Sequence, residues 1–130
     1  MTSLEIKLIS PLRVLANKTQ YKALNLNVYR NLHHFTNNTM KKVYKEMMQE
    51  QVEKLPQFKR ISLTLTLYPK TKRMCDLSNV CCIIDKFISD TLVEMGKIED
   101  DNYEFIPEVN YRMGKVDKLN PRCEVIIREI

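Results

Sequence analysis

At 130 residues the chain has the length of one domain, and its 44% apolar residues supply a core, which excludes a disordered or linker protein. Two glycines exclude a glycine-rich phosphate loop, and four cysteines with no CxxC pair, far in sequence from the two histidines, argue against structural zinc. The formal charge of +5 suits a polyanionic partner and ordinary surface charge equally, so the placement of the basic residues matters more than their number.

Residues 3–9 alternate, with Leu4, Ile6 and Leu8 in phase, and predict a short strand. Residues 11–34 show no clean period and carry Asn17, Asn25, Asn27 and Asn31; they read as a long loop. A helix is expected next, capped by Asn37 or Asn38, with Met40, Val43, Tyr44, Met47, Met48, Gln51 and Val52 at helical spacing, ending before Pro56. Ile61, Leu63, Leu65 and Leu67 alternate with Ser62, Thr64 and Thr66 in the clearest strand of the chain, which Pro69 closes because proline cannot donate to a ladder. Lys70, Lys72 and Arg73 follow as a basic hook.

A second helix is predicted over 79–95. Val80, Ile83, Ile84, Phe87, Ile88 and Leu92 form its buried stripe, and Gly96 is its C-terminal cap. Residues 103–112 alternate again through Phe105, Val109 and Tyr111. A polar turn over 114–121 leads to a last strand over 122–129, and these two strands are expected to pair as an antiparallel hairpin. The sum is a single α/β (α+β) domain over 1–130, a mixed and mostly antiparallel sheet with two main helices packed on it. No apolar run has transmembrane length, so no membrane partner is expected. Cys81 and Cys82 fall in the apolar helix and are expected as buried free thiols, which suits a reducing cytoplasm.

The chemistry-bearing residues concentrate between Arg73 and Tyr103. Asp76 stands before the second helix, and Asp100 and Asp101 stand after it. A helix of ~16 residues is only ~24 Å long, and its flanks can fold back to one end of a sheet, where carboxylates could share a hard cation. Taken singly, each residue has a plainer role. Asp76 and Asn79 would cap a helix, Asp100 and Asp101 would form a polar turn, Lys86 would pair with Asp90 at a spacing of four, and Asp85 would be a solvated acid.

Together these residues resemble the signature of the RusA-like Holliday-junction resolvases. That signature is an Asp-x-Asp-Asn, a lysine further into the helix, an Asp followed by a small residue and Leu, and a paired Asp-Asp before a strand. The matching residues here are Asp76 and Asn79, then Lys86, then Asp90 with Thr91 and Leu92, then Asp100 and Asp101. From Lys86 onward the positions are displaced by about four residues from the family spacing, close to one helical turn. Ser78 stands where the family has its second Asp, and a neutral hydroxyl is a poorer Mg²⁺ ligand than a carboxylate.

The resemblance implies one nuclease domain over 1–130, hydrolysing phosphodiesters in Holliday junctions or other branched DNA during recombination and repair. It implies Mg²⁺, with Mn²⁺ as a substitute. Asp76 and Asp101 would be catalytic acids and metal ligands, Asp100, Asn79 and Asp90 further ligands, and Lys86 a cation beside the scissile phosphate. A four-way junction is two-fold symmetric, and the family meets it as a homodimer. A phage or prophage source, and hence the cytoplasm of a bacterial or phage-infected cell, is implied in the same way. Lys70, Lys72 and Arg73 would hold the DNA backbone beside the acids, with Asn27 and Arg30 adding contacts. Asn25, Leu26 and Tyr29 share that segment, where turn chemistry accounts for the asparagines equally well. Lys18, Lys22, Lys41, Lys42, Lys115 and Lys118 could widen the footprint. His33 and His34 invite a general-base role, which an acid and metal mechanism does not need; incidental loop residues are the plainer reading. Ser78 keeps open a catalytically weak or inactive branched-DNA-binding protein on the same fold, and a protein-interaction module is the reading from a different class.

Overall fold

The computed structural model describes residues 4–16, 19–32, 34–73 and 76–130. Ser3, Asn17, Lys18, His33 and Cys75, and the side chain of His34, lie outside the described residues. Nine elements follow in order: β1 (Glu5–Ser10), β2 (Arg13–Leu15), β3 (Tyr21–Ala23), α1 (Leu26–Asn31), α2 (His34–Glu53), β4 (Ile61–Tyr68), α3 (Leu77–Glu94), β5 (Glu108–Met113) and β6 (Arg122–Glu129).

The alternation in 61–67 produces the strand it predicts. Ile61, Leu63, Leu65 and Leu67 are buried on one face of β4, while Thr64 and Thr66 turn to the other face and stay half-exposed. The sheet order is β1-β6-β4-β5. β6 is antiparallel to both β1 and β4, so Leu8, Val125 and Leu65 share one cross-sheet row on the core face. β4 and β5 are parallel, with Leu65 opposite Tyr111. The expected hairpin between the last two strands does not form. β6 inserts between β1 and β4, and β5 takes the outer edge, because α3 carries the chain back across the sheet so that β5 starts beside the start of β4.

The helices cover the core face. Phe87 of α3 lies between Tyr44 of α2, at 5.5 Å between ring centroids, and Tyr29 of α1, at 6.1 Å, both edge to face. Gly96 ends α3 with φ of +73°, where Lys97 N–H donates to Leu92 O and Gly96 N–H to Val93 O, the double closure that a residue free of Cβ permits. The Lys97 ammonium then donates to Leu55 O at 2.8 Å and Glu53 O at 3.3 Å, holding the chain after α3 against the C-terminus of α2.

Residues 11–34 are not one loop. β2 and β3 form a small antiparallel hairpin, and α1 follows, capped by Asn25, whose Oδ1 accepts from Val28 N–H at 2.8 Å. The strands are three residues each, too short for alternation to register, and α1 is six residues. α2 begins at His34, so Asn37 and Asn38 lie inside it and do not cap it. β5 begins at Glu108 and not near Tyr103: the Phe105 carbonyl accepts from Ile61 N–H and Ile106 is buried before the ladder starts. Cys81 and Cys123 are buried free thiols, and Cys82 is half-exposed. Among the described residues no helix is long and apolar enough to cross a membrane.

Candidate nucleic-acid interface

The end of β4, the basic hook and the start of α3 meet around a cleft of about 710 Å³. Its lining includes Lys70 and Arg73 from the hook, Asp76 and Asn79 at the N-terminus of α3, and Asn25 and Asn27 at the start of α1. Four of these residues, Lys70, Arg73, Asp76 and Asn27, are exposed. The local reason is the β4-to-α3 connection: Pro69 stops the ladder, and the chain leaves the end of an interior strand and enters α3 at Leu77. Lys72 and Arg30 are exposed but do not line the cleft.

Asp76 occupies the N-cap of α3 yet its carboxylate makes no capping bond to the helix amides. Its side-chain partner is the Asn79 amide, at 3.4 Å. Among the described residues no other hydrogen bond or ion pair engages this carboxylate, and Asp76 is exposed at the cleft. Asp76 thus holds the expected N-cap position without the capping bond, and Asn79 lies inside the first turn and does not cap the helix.

The other predicted acids are placed differently. The connection after α3 is tied to the start of β4, with Phe58 N–H donating to Lys97 O at 2.7 Å and Ile61 N–H to Phe105 O at 2.9 Å. Asp76 follows the opposite end of that strand, and an eight-residue strand is about 26 Å long. Asp100 is spent within its own turn. It accepts from Asp101 N–H at 2.7 Å and from the Asn102 amide at 3.1 Å. Asp101 is exposed, and its negative charge is felt by Asp85 and Asp90 on α3.

Asp85 is not the solvated acid that the sequence suggests. It is half-buried, accepting from the Tyr111 hydroxyl at 3.0 Å and from the Ser89 hydroxyl at 3.2 Å. Burial raises its pKa above the ordinary carboxylate range and Asp101 adds to the rise, while the two hydrogen bonds oppose it. Burial also raises the pKa of Asp90, against the pull of Lys41 and then Lys86. The ion-pair partner of Asp90 is Lys41 of α2, at 3.9 Å, and Lys86 is exposed beside it. The alternating strand 103–112 put Tyr111 in phase with the core, but nothing in its spacing matched it to Asp85.

The predicted set is thus divided. Lys70, Arg73, Asn27, Asp76 and Asn79 share the cleft, whereas Asp90, Asp101 and Lys86 gather along α3. Among the described residues no group of three or more His, Cys, Asp or Glu side chains is placed to hold a metal ion. The cleft lining offers one carboxylate, Asp76, and the Asn79 amide, the lower limit for Mg²⁺ shared with a substrate, which takes one or two carboxylates and completes its octahedron with water and phosphate oxygens. No protein-family model and no curated protein matches this chain.

Proposed function

We propose that this protein is a Mg²⁺-dependent, structure-selective endodeoxyribonuclease of the RusA-like type, acting on Holliday junctions or other branched DNA as a homodimer. The observation that carries the reading is the meeting of an uncommitted acid, Asp76, with Lys70 and Arg73 on one cleft at a helix N-terminus. A polyanion does not approach carboxylates unaided. Here the two cations and the partial positive charge of the α3 N-terminus attract the phosphates that the acid must meet.

In this reading Lys70 and Arg73 hold the backbone, and Asn27 and Asn79 direct amide groups at phosphate or sugar oxygens. Asp76 and Asn79 would hold the divalent cation. When bound, that cation supplies an activated water and offsets charge on the phosphate in flight. Asp101, Asp90 and Lys86 stand apart from this cleft, so the roles that the motif implies for them are not part of this cation site.

The test is incubation of a synthetic four-way junction with the protein and Mg²⁺ or Mn²⁺, scoring paired nicks that leave 5′ phosphates. A linear duplex of the same sequence serves as the control.

One second reading has its own support, a branched-DNA-binding protein that cuts weakly or not at all. Ser78 lacks the carboxylate of the family's second Asp, and the acids of the chain are divided between two groups. Ser78→Asp separates the readings. On the nuclease reading it keeps or raises cutting, and a dead Ser78→Asp variant of an active parent would mean that the site is built differently from the family's.

A further inference from the structure

Beside the cleft lies a second groove of about 640 Å³, and Lys70 lines both. We propose that this groove seats an unstacked nucleobase of branched or single-stranded DNA, with Tyr21 as its stacking platform and Leu119 as the apolar wedge beside it. The inference rests on the functional reading above and extends it to how a branch point is recognised.

Three features carry it. The first is an apolar surface left open. Tyr21 is 58% exposed and Leu119 is 96% exposed, with Met47 at 47% between the hairpin and the last loop. The second is that the ring of Tyr21 and the backbone that carries Leu119 are held in place. Tyr21 pairs with Leu15 across the β2–β3 hairpin, and the Arg13 guanidinium lies 5.2 Å from the centre of its ring. The loop that carries Leu119 is pinned on both sides: Asp117 N–H donates to Pro69 O at 2.8 Å, and Arg122 binds the Asp117 carboxylate at 2.8 Å. A ring fixed beside a guanidinium loses little freedom when a ligand covers it, whereas the open Leu119 side chain brings apolar area at the cost of its own rotamer freedom.

The third feature is charge. Arg13, Lys70 and Lys118 all line the groove, and among the described residues none of the three is within 4.0 Å of a carboxylate. Asp117, the nearest acid in sequence, is already neutralised by Arg122. A groove with a π-face, an apolar contact and three uncompensated cations matches a base and its flanking phosphates, the combination that single strands present and a closed duplex hides. Its continuity with the cleft through Lys70 puts such a base next to the backbone held there.

The experiment measures affinities by fluorescence anisotropy in EDTA, so that cutting does not interfere, for a four-way junction, a single strand and a linear duplex of equal length. Tyr21→Ala and Leu119→Ser are expected to weaken junction and single-strand binding about 5- to 100-fold and duplex binding less than about two-fold, the scale of lost base stacking. Tyr21→Phe restores the parent value. The salt slope separates stacking from charge: it is unchanged in Tyr21→Ala and falls by about one in Lys118→Ala. Junction binding indifferent to Tyr21→Ala and Leu119→Ser overturns this inference and leaves the nuclease reading standing. A parent that binds none of the three DNAs at low salt overturns both. Self-association lost in Tyr21→Ala with DNA affinity intact would give the groove to a second copy of the chain and equally overturn the inference.

Discussion

The Tyr111 hydroxyl donates to Oδ2 of Asp85 across 3.0 Å, joining the edge strand β5 to the middle of α3. β5 has a neighbour on one side only, so this bond and the packing of Tyr111 against the core hold the strand to the helix above it. The same bond sits on an acid that burial and Asp101 make reluctant to ionise.

Asp85 therefore couples stability to pH. Folded Asp85 keeps its proton to a higher pH than it does in the unfolded chain. In the window from the ordinary aspartate value, about 3.9, up through the raised one, the folded state binds more protons, and the free energy of unfolding falls as pH rises. Asp85→Asn lacks this titration while its amide oxygen can still accept from Tyr111. Urea midpoints should show the variant gaining on the parent more at pH 7 than at pH 4. Equal differences at the two pH values would contradict the account.

Tyr44 is fully buried, and its hydroxyl lies 2.8 Å from the buried Ser10 hydroxyl, which also donates to Pro11 O. Tyr44→Phe removes one partner but leaves Ser10 the other, so chemical denaturation should show a loss of about 1 kcal/mol. Tyr44→Ala also empties the space against Phe87 and should cost about 3–5 kcal/mol.

Lys70 and Arg73 are assigned to phosphates and not to bases. Lys70→Ala and Arg73→Ala should each weaken junction binding uniformly across sequences and lower the slope of log K against log salt by about 0.9. Lys72→Ala, which removes an exposed cation outside the cleft, should change the slope less.

Much of the fold was legible because the long elements have clean periods. β4, α3 and β6 lie within a residue or two of their expected bounds, since alternating leucines and an apolar stripe at helical spacing each suit one backbone geometry. The short hairpin and α1 were not legible, because three-residue strands carry no period and a six-residue helix little more. The pairing of β5 was missed for a different reason: alternation says which face a strand buries but not which neighbour it takes, and α3 decides that. At the candidate site, the hook and Asp76 were readable from Pro69 and the helix start. Asn25 proved to be a cap that also lines the cleft, while Tyr21 and Leu119 carry no spacing signal and become visible only when the hairpin and the last loop meet.

The measurement that bears most directly on the nuclease reading compares cutting and binding of a four-way junction by the parent, Asp76→Asn and Asp101→Asn in Mg²⁺. The account predicts paired nicks by the parent, at least a hundredfold loss of cutting in Asp76→Asn on the scale of removing a charge-stabilising group, a smaller loss in Asp101→Asn, which lies outside the cleft, and junction affinity unchanged in both. Cutting by Asp76→Asn at the parental rate would contradict the role assigned to that acid, and a parent that binds the junction without cutting it would contradict the nuclease itself.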